Sequence, residues 1–496
     1  MSLLWSTIQQ TAESRPNDIA ICDEHRCFSW SELVSWIMLA RQDLEQVRHQ
    51  VVALYADNSP EWIVTDIACQ LVEVTLLPLP LFFSKEQCHH AMIEAGVSAV
   101  LHSPKKPFVT SPHIDADKTL FLDSVGYALS QFSLPAVPLP EFTRKITFTS
   151  GSTGKAKGVC LSNEQQQLVA KSLISATEIK RDRHLCLLPF STLLENIAGV
   201  YAPLLSGGTV IALPQHKLGF NGNSGFDLNS LLTTIARTKP NSLIVIPELL
   251  LALVSAVKQG WPPPDSLTFI AVGGSKVSAL VLKQAQQCGL PVYEGYGLSE
   301  CLSVVSLNTP KNNQIGSTGK LLDHVDVDID DGEIIITGNS FLGYIGHVES
   351  WGKTSVATGD LGNIDEQGYL HIDGRKKNLL ISSYGRNINP EWPESQLLAN
   401  GLLKDCVVFG DAMPFCTALI YPRSKVTSND EIQQWIDSVN QSLPDYAQIK
   451  QWHRLSEPLS AEQGFLTSNG RPIRDVIYQH YQNKIDYFYE EIHAVF

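Results

Sequence analysis

The stretch VVALYADNSPEWIVTDIACQLVEVTLLPLPL (51–81) carries the pattern that most restricts what the chain can fold into. An apolar run at 51–55 ends in a polar turn, and Ser59 then precedes Pro60, the residue type favoured at a first helical position. Ile63, Ile67 and Leu71 recur every fourth residue along one helical face, and a second apolar run follows at 74–77. The alternation returns at LIVIP (243–247), LTFIAVGG (267–274) and LPVYEGYG (290–297), with helical patterns between them. The expected fold class is α/β, with a large N-terminal domain of mainly parallel sheets flanked by helices. Ligands of such folds sit beyond the carboxyl ends of the strands, so loops that directly follow strands carry the strongest functional expectation.

From about residue 316 the segments shorten and alternate. VDVDIDDGEIIITG and DEQGYLHIDGR read as antiparallel hairpins, a small β-barrel-like part of the large domain. Beyond 376 come new strand candidates, KDCVVFGD (404–411) and TALIYP (417–422), followed by helical patterns, enough for a small α+β domain. The boundary falls at GRKK (374–377), giving domains 1–375 and 376–496. The polar loop GFNGNSGF (219–226) reads as a flexible connection within the large domain.

Composition excludes several classes. A formal charge of -14 repels a phosphate backbone at long range and argues against a general nucleic-acid binder, while leaving room for a local basic pocket for a small anion. There is no uncharged apolar run long enough to span a bilayer, and the N-terminus lacks the basic start and apolar stretch of a signal peptide, so the cytoplasm is the default location. The ten Cys, scattered from Cys22 to Cys416, form no CxxC and no paired spacing with His. They point to neither a zinc site nor a disulfide framework and read as small buried hydrophobes.

The polar loop TFTSGSTGKAKGVCLS (147–162) follows an apolar run. Small hydroxyl residues and glycines let backbone N–H groups approach an anion, and lysine adds a point charge. It is not a Walker loop, because Gly154 and Lys155 are followed by Ala156. Taken alone it is equally a phosphate cradle or a polar turn.

The segment TSGSTGKAKG resembles the (S/T)SG(S/T)TGxPKG phosphate loop of the adenylate-forming enzymes, which include acyl-CoA synthetases, peptide-synthetase adenylation domains and luciferases. Four further segments follow in that family's order. YEGYGLSE (293–300) is similar to YGxTE, ATGDLG (357–362) matches TGD, GRKKNLLISSYGRNINPEWPE (374–394) matches the hinge region, and LTSNGRPIR (466–474) looks like the TxxxKxxR loop. The resemblance implies that Thr149, Ser150, Gly151, Ser152, Thr153, Gly154 and Lys157 hold the β- and γ-phosphates of ATP. By the same resemblance Gly273, Gly274 and Ser275 form part of the adenine wall, Tyr296 offers a face to adenine, and Ser299 a hydroxyl to the α-phosphate. Glu300 would hold Mg²⁺, while Asp360 and Arg375 would bind the ribose. Lys377 would be the hinge of a mobile C-terminal domain, and Gly385 would lie beside the thiol of coenzyme A or of a carrier protein's phosphopantetheine.

Two departures mark this chain. Arg471 stands where the family places a lysine that bridges the attacking carboxylate and the α-phosphate, and Arg is not a conservative exchange at a tight site. LPFSTLLENIAGV (188–200) resembles LPLxHxxE of the long-chain synthetases, with Thr192 at the position that gates the acyl pocket. The C-terminal tail also resembles that group. The resemblance therefore implies activation of a fatty or other apolar carboxylic acid through its adenylate, and then a thioester with CoA. Delivery to a carrier protein and a binding protein impaired by Arg471 remain alternatives, and peripheral membrane contact is left open.

Overall fold

The structure is a computed structural model that describes residues 2–105, 108, 116–149, 157–221, 225–383, 385–467 and 470–493. Two large sheets dominate the N-terminal part, one of nine strands and one of eight. In the first, Arg183–Leu185, Ser242–Val245, Phe269–Val272 and Val292–Tyr296 are successive parallel neighbours. In the second, Val51–Tyr55 lies parallel between Thr75–Pro78 and Ala99–His102, and Lys145–Thr149 adds on antiparallel to Lys157–Leu161. The strand–helix–strand reading of 51–81 holds to within a residue at each boundary: Ser59 caps the helix Pro60–Leu71 through the amide of Trp62.

The principal core joins faces of both sheets through helices such as Trp30–Leu44, Pro60–Leu71 and Asn163–Thr177. A four-stranded antiparallel sheet, from Val325–Asp330 to Leu370–Arg375, follows the two large ones. The C-terminal part has its own three-stranded sheet, Leu403–Phe409, Cys416–Pro422 and Ile449–Arg454, with a separate apolar cluster on each face.

Two local readings change, and one helical segment takes an unusual form. Cys22 and Cys27, a cross-strand pair near the N-terminus, are joined in a disulfide, whereas the eight other cysteines are free. Their short separation on facing strands brings the sulfurs together, which spacing rules for metal and disulfide frameworks do not register. Within the 219–226 loop, Phe220–Asn221 pairs with Gly225–Phe226 and the Phe220 and Phe226 rings meet, so the described ends form a hairpin rather than a slack connector. The segment after Leu194 winds as a π-helix over Glu195–Tyr201.

That π-helix has a physical cause. Its i to i+5 bonding stacks Asn196 and Tyr201, five residues apart, so that both donate to Asp66 Oδ2, at 3.0 and 2.7 Å. Lys145 completes the cluster, with its ammonium 2.9 Å from Asp66 Oδ1 and donating to the Tyr201 hydroxyl at 2.8 Å. Asn196 Oδ1 also accepts from Lys145. All four residues are buried, and burial pulls the Lys145 ammonium below its usual range, with Asp66 opposing that shift. Breaking such a pair from one side leaves an uncompensated charge. Lys145→Met is expected to destabilise the fold by about 3–5 kcal/mol in equilibrium urea unfolding, and Lys145→Met combined with Asp66→Leu to recover much of the loss. A single-variant cost under about 1 kcal/mol would remove this pair from the stabilising core.

Candidate active site

A cavity of about 1600 Å³ opens at the carboxyl ends of the parallel strands Phe269–Val272 and Val292–Tyr296, between the large sheets and the C-terminal part. Its position follows from the fold class, because strand-end loops converge there. Thr149 and Lys157 face each other in register at the ends of adjacent antiparallel strands and both line it. Ser150, Gly151, Ser152, Thr153 and Gly154, which lie between them, fall outside the described residues.

Glu300 lies in the 3-10 turn Ser299–Cys301, beside the mouth of that loop. The Tyr344 hydroxyl donates to Glu300 Oε1 at 2.8 Å, and the Lys157 ammonium stands 5.1 Å above the Tyr344 ring. One aromatic thus orients the carboxylate and holds the cation by its π face. Burial and then the charge of Glu300 push the Tyr344 phenol up, so it stays protonated and remains a donor. A single carboxylate lining the cavity fits a hard divalent cation that takes its other ligands from phosphate oxygens and water.

A second cluster lies across the cavity. Asp360 and Arg375 are direct partners on neighbouring antiparallel strands, and Arg375 Nε sits 2.6 Å from Asp360 Oδ1. The Tyr296 hydroxyl donates to Asp360 Oδ2 at 2.6 Å. Tyr296 therefore braces the Asp360 carboxylate with its polar tip, a duty beyond the adenine platform expected from the sequence. Burial pushes the Asp360 carboxyl up while Arg375 and Tyr296 hold it down. Thr358 fixes the backbone here by accepting from the Asp360 amide at 3.0 Å.

Arg471 reaches this cluster from the C-terminal part. Its Nη2 donates to the Gly274 carbonyl at 2.5 Å, and Gly274 has φ of 89°, a left-handed backbone that aims the carbonyl inward at little cost for glycine. Arg471 is open to the solvent of the cavity, yet surrounding protein atoms and the nearby Arg375 pull its guanidinium below the usual range, with Glu391 and Asp360 opposing. The loop that carries it is closed by Thr467 N donating to the Arg471 carbonyl at 2.8 Å. It is anchored by Arg474, whose guanidinium grips both oxygens of buried Glu394 at 2.7 and 2.6 Å.

Ser299, Ser275, Gly273 and Lys377 also line the cavity, whereas Gly385 does not. Gly385, the residue expected beside the thiol, sits on an exposed turn between Leu380–Ile381 and Asn387–Ile388, while every other described candidate lines the cavity. Sequence reading missed Tyr344, Thr358 and Glu391. Their signals were weak: an aromatic in a glycine-rich run, the Thr of ATGD, and a Glu beside Pro390 in the hinge segment.

From the phosphate end the cavity continues along one face of the nine-stranded sheet. Ser242, Ile244, Phe269, Ala271 and Gly295 line it, while Val245, Ile270 and Val292 belong to the second core on the opposite face. The facing wall is Leu194, Ala198 and Ala202, one every fourth residue, with Leu173 and Ile174 from Asn163–Thr177. Small residues at Ala198, Ala202 and Ala271 leave the space. Thr192 lines it too.

Among the described residues no helix is long and apolar enough to cross a membrane. The chain is 25% identical over 427 residues to the 2-succinylbenzoate–CoA ligase of Bacillus subtilis (strain 168), covering 81% of this chain and 84% of that protein. A 39% identity to the long-chain-fatty-acid–CoA ligase FadD15 of Mycobacterium bovis spans 154 residues, 30% of this chain and 26% of that one. The fold superimposes on a crystal structure of the anthranilate CoA ligase AuaEII in complex with anthranoyl-AMP, with a TM-score of 0.80 at 16% identity and 97% of each chain covered. Residues 377–493 match the family described as AMP-binding enzyme C-terminal domain. Since residues 8–345, well over half of the sequence, match the family described as AMP-binding enzyme, the chain belongs to that family.

Proposed function

We propose that this AMP-forming acid–thiol ligase activates a compact aryl carboxylic acid through its acyl-adenylate and transfers the acyl group to CoA. One observation carries the reading: Lys157 and Glu300 on one side and Asp360, Arg375 and Arg471 on the other line a single cavity that continues into an apolar slot. The slot runs between a sheet and a π-helix and ends in buried polar residues, which suits a flat ring better than a long flexible chain. Relatives of both kinds exist, but the succinylbenzoate ligase matches along most of the chain and the long-chain ligase along less than a third.

In this reading Lys157 and Thr149 grip the pyrophosphate side of ATP, and Asp360 with Arg375 holds the ribose. Glu300 would hold a magnesium ion, which would supply positive charge to the phosphate oxygens. A carboxylate oxygen of the acid attacks the α-phosphorus, the bond to the bridging oxygen of pyrophosphate breaks, and pyrophosphate leaves with the electron pair. Arg471 sets positive charge beside the oxygens that gain charge, and its planar fork donates to two of them where a lysine donates from a point. The C-terminal part then turns at Lys377 to clear Arg471 from the cavity. The thiol sulfur attacks the acyl carbon, the bond to the AMP oxygen breaks, and the thiol proton passes to solvent.

Arg471→Ala is expected to lower carboxylate-dependent exchange of labelled pyrophosphate into ATP by about 10²–10³-fold, and Arg471→Lys to stay within about tenfold of the parent. No exchange in the parent with any acid, restored by Arg471→Lys, would show that Arg471 is not competent. Asp360→Ala should raise the KM for ATP more than it lowers kcat, because the ribose contacts are the same before and during reaction. A mass-spectrometric screen of aryl and fatty acids with ATP and either CoA or a holo carrier protein reads adenylate and thioester together. CoA thioesters of aryl acids are the expected products; acyl transfer to the carrier protein alone would reassign the acceptor.

A further inference from the structure

The apolar slot is closed at the end remote from the nucleotide by a buried polar chain that the adenylation chemistry does not use. His184 and Ser242 are register partners at the amino ends of parallel strands whose carboxyl ends meet the nucleotide groups. Three residues along the Ser242–Val245 strand separate these ends, about 10 Å at the rise of a β-strand. Asp182, His184 and Ser242 all line the cavity and are 8%, 2% and 3% exposed.

A chain of hydrogen bonds links a carboxylate at each end through His184 and Ser242. Glu195 Oε2 accepts from the Leu188 amide at 3.0 Å and Oε1 lies 2.9 Å from His184 Nε2. His184 Nδ1 lies 2.7 Å from Ser242 Oγ, which donates to Asp182 Oδ2 at 2.5 Å. Glu195 and the two ring nitrogens are therefore fully engaged. Asp182 Oδ1 is not: it is buried with no hydrogen-bond partner. A buried carboxylate oxygen without a donor is costly, and Asp182 is a residue that lines the cavity, so a small side-chain rotation would turn that oxygen to a donor carried by a ligand.

Gly199 shows that this arrangement constrains the surrounding backbone. A Cβ there would overlap both Glu195 Oε1 and His184 Nε2, so the π-helix can pack onto the pair only with glycine at that position. The ligand-capable atoms of His184, Cys186 and Glu195 lie within 4.8 Å of one another. However, both His184 nitrogens are already paired, and burial holds the Cys186 thiol protonated while it donates to the Gly199 carbonyl. The cluster is a relay of hydrogen bonds rather than a metal centre.

We propose that Asp182, held in place through Ser242, His184 and Glu195, selects acids that carry a hydrogen-bond donor, a hydroxyl or amino group, at the end remote from the carboxylate. This inference rests on the aryl-acid reading and narrows it. Burial pushes the Asp182 carboxyl up, with His184, Ser242 and the Arg183 backbone amide opposing, and a further donor arriving from the substrate would favour its charged form. Burial works against the His184 imidazolium, and the bond and charge of Glu195, with the charge of Asp182, outweigh it, so the ring is held above its usual range.

The test compares para-hydroxy-, para-amino-, para-methoxy- and unsubstituted cinnamic acids, with hexadecanoic acid, in ATP–pyrophosphate exchange on the full chain. The hydroxy and amino acids should exceed the methoxy and unsubstituted ones by about 10- to 100-fold in kcat/KM. Asp182→Asn, which turns an amide N–H₂ or a weaker acceptor toward the slot, should bring that ratio close to one, each donor-bearing acid being read against the unsubstituted acid on the same preparation. The substrate series alone decides the matter if the variant does not fold. Aryl acids activated with no donor preference, or a ratio unmoved by Asp182→Asn, would overturn the role of Asp182 and leave the aryl reading standing. Hexadecanoic acid outperforming every aryl acid would overturn both.

Discussion

The buried Lys145–Asp66 pair is the interaction on which the rest of the large domain depends. A charged ammonium survives in an apolar core only with a compensating carboxylate and a complete set of acceptors. Asp66, Asn196 and Tyr201 supply them, and they come from elements far apart in sequence. Lys145 begins the strand that ends at Thr149, at the cavity, while Asn196 and Tyr201 belong to the π-helix that walls the apolar slot. The same few hydrogen bonds therefore set where the phosphate end and the acid end of the cavity stand relative to each other. Small errors in that separation are expensive for a displacement in which two reacting atoms must be aligned.

The carboxylates around the cavity have fixed partners. Glu300 is oriented by Tyr344, Asp360 by Tyr296 and Arg375, and Glu394 by Arg474. In each case a buried or half-buried acid is spared the cost of an unpaired charge, and in each case the partner also fixes its direction. Asp182 is the exception, with one oxygen engaged and one bare. The contrast separates acids that hold the protein together or position a nucleotide from one placed to meet something that arrives.

Local signals were legible wherever they depend on short-range chemistry. Ser59 and Pro60 opened a helix where a capping hydroxyl and a fixed φ require one, and the apolar runs at 51–55 and 243–247 became strands. The five ordered motifs pointed to the right family, and all but one of the described candidate residues they supplied line one cavity. The finer assignment to long-chain acids leaned on the tail and on a single segment, and the relatives matched along most of the chain do not favour it. Tyr344 was not legible, because its value comes from touching Glu300 and Lys157, each distant in sequence. Nor was the Cys22–Cys27 bond, since a spacing of five residues says nothing until two strands face each other.

By itself the sequence determined the periodicities, caps and glycine-rich turns, and with them a parallel α/β scaffold whose strand-end loops would carry the chemistry. Those depend on backbone sterics and on which side chains avoid water, and both are written locally. The tertiary structure decided what lies opposite what. It widened one helical turn to stack Asn196 and Tyr201 on Asp66, set Arg471 against Gly274, and left Asp182 with a bare oxygen at the end of an apolar slot. Such outcomes follow from packing between segments a hundred or more residues apart, where burial turns ordinary polar residues into committed partners and their cost depends wholly on the neighbours that the fold supplies.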